Sequence, residues 1–204
     1  MSQKFNNPWD ERYSAPGYYY GIEPNDWLKL QVSAFAPHAR ILTLGEGEGR
    51  NAVYLAQMGF EVTAVDASRV GLSKLKKLAQ EKGVQVKTIQ ADLNDFDLAE
   101  NDWDGIISIW CHLPVPLRRK VHQGVVHSLK QNGVFLLEAY HPRQLQYKTG
   151  GPAQIELLMR LEDLRVELKG LEWVVAQEVD RDVREGQGHF GKSAVVQVLA
   201  RKSV

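Results

Sequence analysis

The sequence predicts an open α/β fold, a mostly parallel seven-stranded sheet with helices on both faces and an antiparallel hairpin at its C-terminal edge. Three observations carry that expectation. Short apolar, β-rich runs alternate with helical stretches from residue 40 to residue 139. The first run ends in a turn built on Gly45, Gly47 and Gly49. Two later strand-like runs, 173–182 and 193–202, follow each other with only a loop between them. Alternating strands and helices make right-handed βαβ units and a parallel sheet, whereas a direct connection makes an antiparallel pair.

Residues 40–44 read as the first strand, and 50–58 as a helix closed by Gly59. Residues 61–65 are the second strand. Ser68 can cap the helix that follows, which carries Leu72, Leu75, Leu78 and Ala79 and stops at Gly83. Residues 84–90 and 105–109 supply strands three and four. Pro116 suits the first turn of a helix reaching about residue 130, and 133–139 is strand five. A short helix over 161–168 holds Glu162 and Asp163 in its favourable first turn. The terminal strands then enclose a Gly-rich loop over 183–192. Ahead of the sheet, residues 1–24 read as irregular and aromatic-rich, and a helix is expected over 25–36. No repeat or low-complexity linker interrupts the chain. Residues 1–204 are therefore read as one domain, with 1–36 an aromatic lid and helix and 37–204 the sheet core.

Composition narrows the partners. The 25 Lys and Arg balance the 25 Asp and Glu, so no long-range field favours nucleic acid or an anionic membrane. No run approaches the roughly 20 apolar residues that cross a bilayer, and the first ten residues are polar rather than leader-like. Cys111, the single cysteine, offers neither an intrachain disulfide nor a multi-thiolate zinc site, so no metal is expected. These features favour a cytoplasmic protein, monomeric or homodimeric, acting on a small molecule.

Ligands of open α/β sheets bind beyond the carboxyl ends of strands, near the point where strand order reverses. The first such end here is Gly45-Glu46-Gly47-Glu48-Gly49-Arg50-Asn51. Its glycines let main chain approach a ligand, and the helix behind offers amide groups to a carboxylate or phosphate. Taken alone the loop is ambiguous. Gly45-x-Gly47-x-Gly49 suits a nucleotide-like ligand, while Gly47-x-Gly49-x-x-Ala52 also fits a dinucleotide fingerprint. Two further strand ends shift the balance. Asp66, followed by Ala67 and Ser68, can accept both hydroxyls of a ribose. Asp92, between Ala91 and Leu93, can accept from an adenine amino group, a feature outside the dinucleotide fingerprint. Ile109 and Trp110 end strand four beside them.

Together, the loop, Asp66, Asp92 and the terminal hairpin resemble the class I S-adenosylmethionine-dependent methyltransferases, a Rossmann-like family. More closely, the chain is similar to their tellurite-resistance-like (TehB-like) branch. The segments that carry this are Trp9-Asp10-Glu11-Arg12-Tyr13, Tyr20-Gly21-Ile22-Glu23-Pro24-Asn25, Gly47-Glu48-Gly49-Arg50-Asn51-Ala52 and Glu185-Gly186-Gln187-Gly188-His189-Phe190-Gly191. The resemblance implies S-adenosylmethionine as cofactor, held by Gly45, Glu46, Gly47, Gly49, Asn51, Asp66, Ala67, Ser68, Ala91, Asp92, Leu93, Ile109 and Trp110. It also suggests a soft nucleophile as acceptor, such as a thiol or a selenium or tellurium species. Two departures stand out. Thr43 occupies a position where such enzymes usually carry an acid, and Glu46 one that is often small. Glu46 either supplies the missing negative charge or points to solvent.

Methyl transfer from a sulfonium needs alignment and desolvation first, and a general base only for a protonated, weakly acidic nucleophile. Candidates lie where the later strands end. His112 and His189 are the histidines placed to act as bases or to orient substrate, and Arg12 is placed to bind an anion. Trp9, Tyr13 and Tyr20 of the aromatic lid, with Tyr140, His141 and Arg184, are the expected substrate contacts. Aromatic faces also attract a sulfonium, by about 0.5–2 kcal/mol per contact on the ammonium analogy. Two other functions fit parts of the pattern: a protein that binds S-adenosylmethionine without turnover, and a nicotinamide-dependent oxidoreductase using the dinucleotide register.

Overall fold

The computed structural model describes residues 7–99 and 102–203; the first six residues of the expected lid lie outside them. The order is α1 (Pro8–Tyr13), α2 (Asp26–Gln31), β1 (Arg40–Leu44), α3 (Arg50–Gln57), β2 (Glu61–Asp66), α4 (Arg69–Glu81), β3 (Lys87–Gln90), β4 (Trp103–Ile109), α5 (Val115–Ser128), β5 (Leu129–Tyr140), α6 (Leu161–Glu167), β6 (Leu171–Glu185) and β7 (His189–Lys202). The seven strands form one sheet in the order β3-β2-β1-β4-β5-β7-β6. Strands β1 to β5 run parallel, and β7 enters antiparallel between β5 and β6.

Period-two alternation assigns the core. Phe135 and Leu137 of β5 join Leu42, Ile106, Val196 and Val198 on one face, covered by Val121 and Val125 of α5 and Leu164 of α6. Val134 and Leu136 join Ile41, Ala64, Ile107 and Leu199 on the other, covered by Leu28, Leu55, Leu72 and Leu75. Each such side chain contributes about 1.5–3 kcal/mol by leaving water. Behind α5, a buried ion cluster fastens α6. Arg118 donates from Nε and Nη2 to Glu167, and His122 Nδ1 lies 2.7 Å from Glu167 Oε2.

The structure departs from the local reading in three places. The loop expected over 183–192 is mostly strand, because Val183, Arg184 and Glu185 pair with Gly191, Phe190 and His189 and leave a turn of three residues. The helix expected over 25–36 ends at Gln31 and continues as a 3₁₀ turn, Val32–Ala34. The segment 1–24 contains α1, started by Pro8 and by Asn7, whose side chain accepts from Trp9 N–H. A six-residue helix does not hold by itself. Here Asp10 anchors it, accepting from Ser68 Oγ at 2.5 Å and from Val70 N–H at 3.1 Å, so α1 lies across the start of α4.

Candidate active site

Strands β1 and β4 are neighbours although β2 and β3 lie between them in sequence, so the chain reverses direction across the sheet there. The glycine-rich loop leaves β1 at this crevice. Gly47 and Gly49 adopt φ of 65° and 95°, a region costly for residues with a Cβ. A Cβ on Gly49 would also lie 2.3 Å from Leu75 Cγ, so glycine is what lets the loop sit on α4. Asp66, at the end of β2, holds the loop's shape. Its Oδ2 accepts from Gly47 N–H at 2.7 Å, and its Oδ1 from Ser68 N–H at 2.7 Å.

Glu46 does not point to solvent. Its Oε1 accepts from the amides of Asn51 and Ala52 at 3.1 and 2.9 Å, so it caps α3. The helix amides expected to meet a ligand anion are therefore already taken. Burial raises the Glu46 carboxyl to about 7, against the opposing pull of those amides. The buried Thr43 hydroxyl lies beside it and favours its charged form. Glu46 thus stands three residues after Thr43 in the same loop, with its carboxylate turned to the α3 amides.

The N-terminal segment lies directly on this loop. A Cβ on Gly47 would be 2.6 Å from Tyr13 Oη, and one on Gly71 3.0 Å from the Tyr13 ring. Tyr13 therefore fills the angle between the loop and α4. It stacks on Trp9 and meets Tyr20 edge to face. Arg12 covers the faces of Trp9 and Tyr19 and donates to Tyr20 Oη at 3.0 Å. Glu48, buried in the loop, accepts from Tyr19 N–H at 2.7 Å and from Lys74 Nζ at 2.8 Å.

At the ends of β4, β5 and β7 the structure builds an aromatic wall. Trp110 leaves β4 at φ 56°, an uncommon conformation for a bulky residue, which costs about 1–3 kcal/mol. Its indole stacks on Tyr140 at 4.4 Å and meets His189 at 4.9 Å between centroids. Tyr20 approaches His189 from the N-terminal side at 4.6 Å. Behind the wall lies Glu185, which receives Arg50 Nη2 at 2.6 Å, Trp110 Nε1 at 2.5 Å and Asn25 Nδ2 at 2.8 Å. Burial would raise this carboxyl, but Arg50, then His189 and Asn25, outweigh it and hold Glu185 down to about 2. Asn25 also donates to Glu138 at 2.6 Å, whose other partners are Arg181 and Gln197. Two buried carboxylates are thus matched by two guanidiniums, which is how charge survives in a dry interior.

Not every expected residue joins this arrangement. His112 touches the wall, but both of its ring nitrogens face backbone. Nδ1 lies 3.0 Å from Trp110 O, and Nε2 accepts from Tyr140 N–H at 3.0 Å. His141 caps the 3₁₀ turn after β5 with Nδ1 and faces Glu178 with Nε2. Arg184 lies on the outer face of the hairpin over exposed Phe190, opposite in parity to Glu185. Asp92 is exposed and closes a local turn by accepting from Asn94 N–H, while Leu93 and Ile109 belong to the core and Ala91 packs at its margin. Ser68 caps α4 with its hydroxyl, Ala67 is half-buried beside it, and Asn51 accepts from Asn25 N–H. The sequence reading gave no site role to Asn25, Glu48, Arg50, Glu138 or Glu185. Of these only Glu185 carried a local cue, its alternation with Arg184 along a strand.

Residues 41–133 match the model of a methyltransferase domain family, and they span the glycine loop, Asp66, Asp92 and Trp110. Over these residues, a little under half of the chain, it is similar to a methyltransferase domain. TehB of Haemophilus influenzae, named a probable S-adenosyl-L-methionine-dependent methyltransferase, is 32% identical over 69 residues, 34% of this chain and 24% of TehB. Its crystal structure superposes with a TM-score of 0.70 at 20% identity, over 87% of this chain and 62% of that one. An uncharacterized methyltransferase of Synechocystis is 31% identical over 123 residues, 59% of this chain and 56% of that protein. A structure solved for the conversion of a disulfide bond into a thioacetal group during echinomycin biosynthesis gives a TM-score of 0.78 at 18% identity, covering 96% and 91% of the two chains. The sequence matches therefore span about a quarter of TehB and just over half of the Synechocystis protein. At such low identities the structural likeness speaks for the fold.

S-adenosylmethionine is the cofactor this methyltransferase family implies. The loop fits it on two counts: left-handed glycines that let main chain approach a ligand, and an acid, Asp66, at the end of β2. Among the described residues no cluster of His, Cys, Asp and Glu has the makings of a metal site. Among the described residues no helix is long and apolar enough to cross a membrane.

Proposed function

We propose that the chain, folded as one domain, transfers the methyl group of S-adenosylmethionine to a small molecule with a soft nucleophile. The observation that carries this is the juxtaposition of the glycine loop with the wall of Trp110, Tyr140 and His189, both covered by the same N-terminal segment through Tyr13 and Tyr20. Gly45, Gly47, Asp66 and Glu46 would hold the cofactor, with Asp92 turning toward adenine. When bound, the cofactor supplies an electrophilic methyl on a good leaving group. The protein's own part is alignment and exclusion of water, worth up to about 7–11 kcal/mol in favourable cases.

The small acceptor is supported by enclosure. Tyr19 and Tyr20 pack against Gly186 and Gly188 of the β6–β7 turn, and Tyr19 O accepts from Gln187 N–H at 2.8 Å. A nucleic acid or protein substrate would have to displace this cover, and the even charge balance offers nothing to attract a polyanion. The preference for a soft nucleophile rests on the likeness to TehB. His189 and Tyr140 are the wall residues assigned to substrate, and Arg12, at the outer rim, to an anionic group.

Calorimetry with S-adenosylmethionine and S-adenosylhomocysteine tests the reading first. Micromolar binding that Asp66→Ala weakens at least about tenfold, roughly 1.4 kcal/mol, is expected. Binding of NADH instead would overturn it, and tight cofactor binding without transfer to any of a panel of labelled-methyl acceptors would leave a binding protein.

A further inference from the structure

Each glycine of the loop meets a side chain of the protein itself on the side where a Cβ would stand. At Gly45 that position lies 2.9 Å from Cys111 Sγ, at Gly47 2.6 Å from Tyr13 Oη, and at Gly49 it runs into Leu75. Cys111 follows β4 directly and Leu75 stands within α4, so both are fixed parts of the fold. Tyr13 arrives instead on the six-residue α1. Its side chain is buried between Gly47 and Gly71, and Asp66 adds to burial in raising its hydroxyl above the ordinary value. Tyr13 therefore fills the corner that Asp66 and the loop would offer to a ribose. Both Asp66 oxygens already accept amides there, those of Gly47 and Ser68.

One carboxylate latches α1 in this position. Asp10 Oδ1 accepts from Ser68 Oγ at 2.5 Å and from Val70 N–H at 3.1 Å, at the start of the 13-residue α4. The helix dipole favours a negative charge at that end. The rest of α1 has little hold. Pro8, Trp9, Glu11 and Arg12 are exposed, and the contact of Arg12 with Tyr20 Oη is exposed as well. Beyond α1 the chain is built to pivot. Ser14, Ala15, Pro16 and Gly17 are exposed, and nothing lies within 4 Å of the Cβ position of Gly17. Lys74 ties down Ala15 O and Gly17 O, which leaves Ser14 as the joint.

We propose that α1 is a self-inhibitory plug: while Asp10 is latched to the start of α4, Tyr13 occupies the ribose corner, and S-adenosylmethionine enters only after α1 swings away about Ser14. This rests on the transferase reading above and adds a gate to it. The apparent affinity of a gated site is its intrinsic affinity scaled by the fraction of molecules that are open. Weakening the latch raises that fraction, so cofactor should enter faster and bind more tightly. A lid that packs on bound cofactor has the opposite sign. Weakening such a lid lets the cofactor escape and lowers affinity. The two devices are therefore told apart by the direction of one change.

The test mixes the whole protein with S-adenosylhomocysteine in a stopped-flow instrument and follows tryptophan fluorescence, since Trp9 stacks on Tyr13. The observed rate is expected to level off at high ligand, where opening of α1 sets the pace. Asp10→Ala, which removes the latch, is expected to raise that plateau and the apparent affinity about tenfold. Tyr13→Ala, which keeps the latch and removes the plug, is expected to change both in the same direction. Without ligand, hydrogen exchange at the Arg12 and Tyr13 amides should quicken about tenfold in Asp10→Ala. Unchanged exchange there overturns the latch. A rate that rises linearly with ligand and is the same in all three proteins overturns the gate, and so does weaker binding with faster release in Asp10→Ala. Absence of binding by all three proteins in calorimetry overturns the transferase reading, and the gate with it.

Discussion

Glu48 of the glycine-rich loop accepts the Tyr19 amide at 2.7 Å, joining this loop to the segment that covers it. The same carboxylate holds Lys74 at 2.8 Å, and Lys74 in turn donates to Ala15 O and Gly17 O. Loop and cover are therefore one hydrogen-bonded unit, and disturbing either is felt by the other. Glu48→Ala should destabilise the protein by about 1–3 kcal/mol, because it strands a buried amide and an ammonium. Hydrogen exchange should quicken at Tyr19 and Tyr20, and cofactor should leave faster. Unchanged exchange at these amides would separate the loop from its cover.

The Glu46 carboxyl gives stability a definite pH dependence. Its folded value, raised to about 7 by burial, lies above the ordinary 4.5, so the folded state holds an extra proton between the two. Stability from this group is fully present below about 4.5 and falls as pH climbs through 7. Glu46→Gln should remove that decline while keeping an acceptor for the Asn51 and Ala52 amides. Denaturant unfolding of both proteins at mildly acidic and mildly alkaline pH checks it.

His112 acts in the opposite sense. Burial, with the nearby His189, lowers its ring to about 3, so it stays neutral when folded and protonates on unfolding below 6.5. Its contribution is present above 6.5 and is lost as pH falls toward 3. His112→Ala should flatten this acid sensitivity. It should also lower stability by about 1–3 kcal/mol at neutral pH, since Tyr140 N–H loses its acceptor. Thermal melts across that pH range read both effects.

The cluster behind α5 separates stability from binding. Glu167→Ala leaves the buried Arg118 guanidinium without its carboxylate and should cost about 3–5 kcal/mol. Among the described residues no member of the cluster hydrogen-bonds to the glycine loop or to Asp66, so the affinity for S-adenosylmethionine in the folded fraction should match the unaltered protein. A large loss of affinity in calorimetry would show that α6 supports the site.

Most of the sheet was legible because its signals are local. Apolar runs bounded by glycines, the Ser68 cap and the direct passage from 173 to 202 each depend on residues within one turn or strand, and β1, β2 and α4 formed close to where they were expected. Asp66 and the glycine loop were legible for the same reason. Arg184 and Glu185 show where local reading stops. Alternation puts them on opposite faces, but only the pairing of β6 with β7 decides which face is inward, and it turns Glu185 in and Arg184 out.

The sequence by itself determined the fold class and the place of the glycine-rich loop, since strand ends, turns and caps follow from short-range chemistry. The tertiary structure alone decided how the site is completed. Arg50 meets Glu185 across 135 positions, Asn25 meets it across 160, and Glu48 meets Tyr19 across 29. Buried charges must find partners wherever the fold brings them, and no spacing along the chain announces such a partner before the sheet has closed over it.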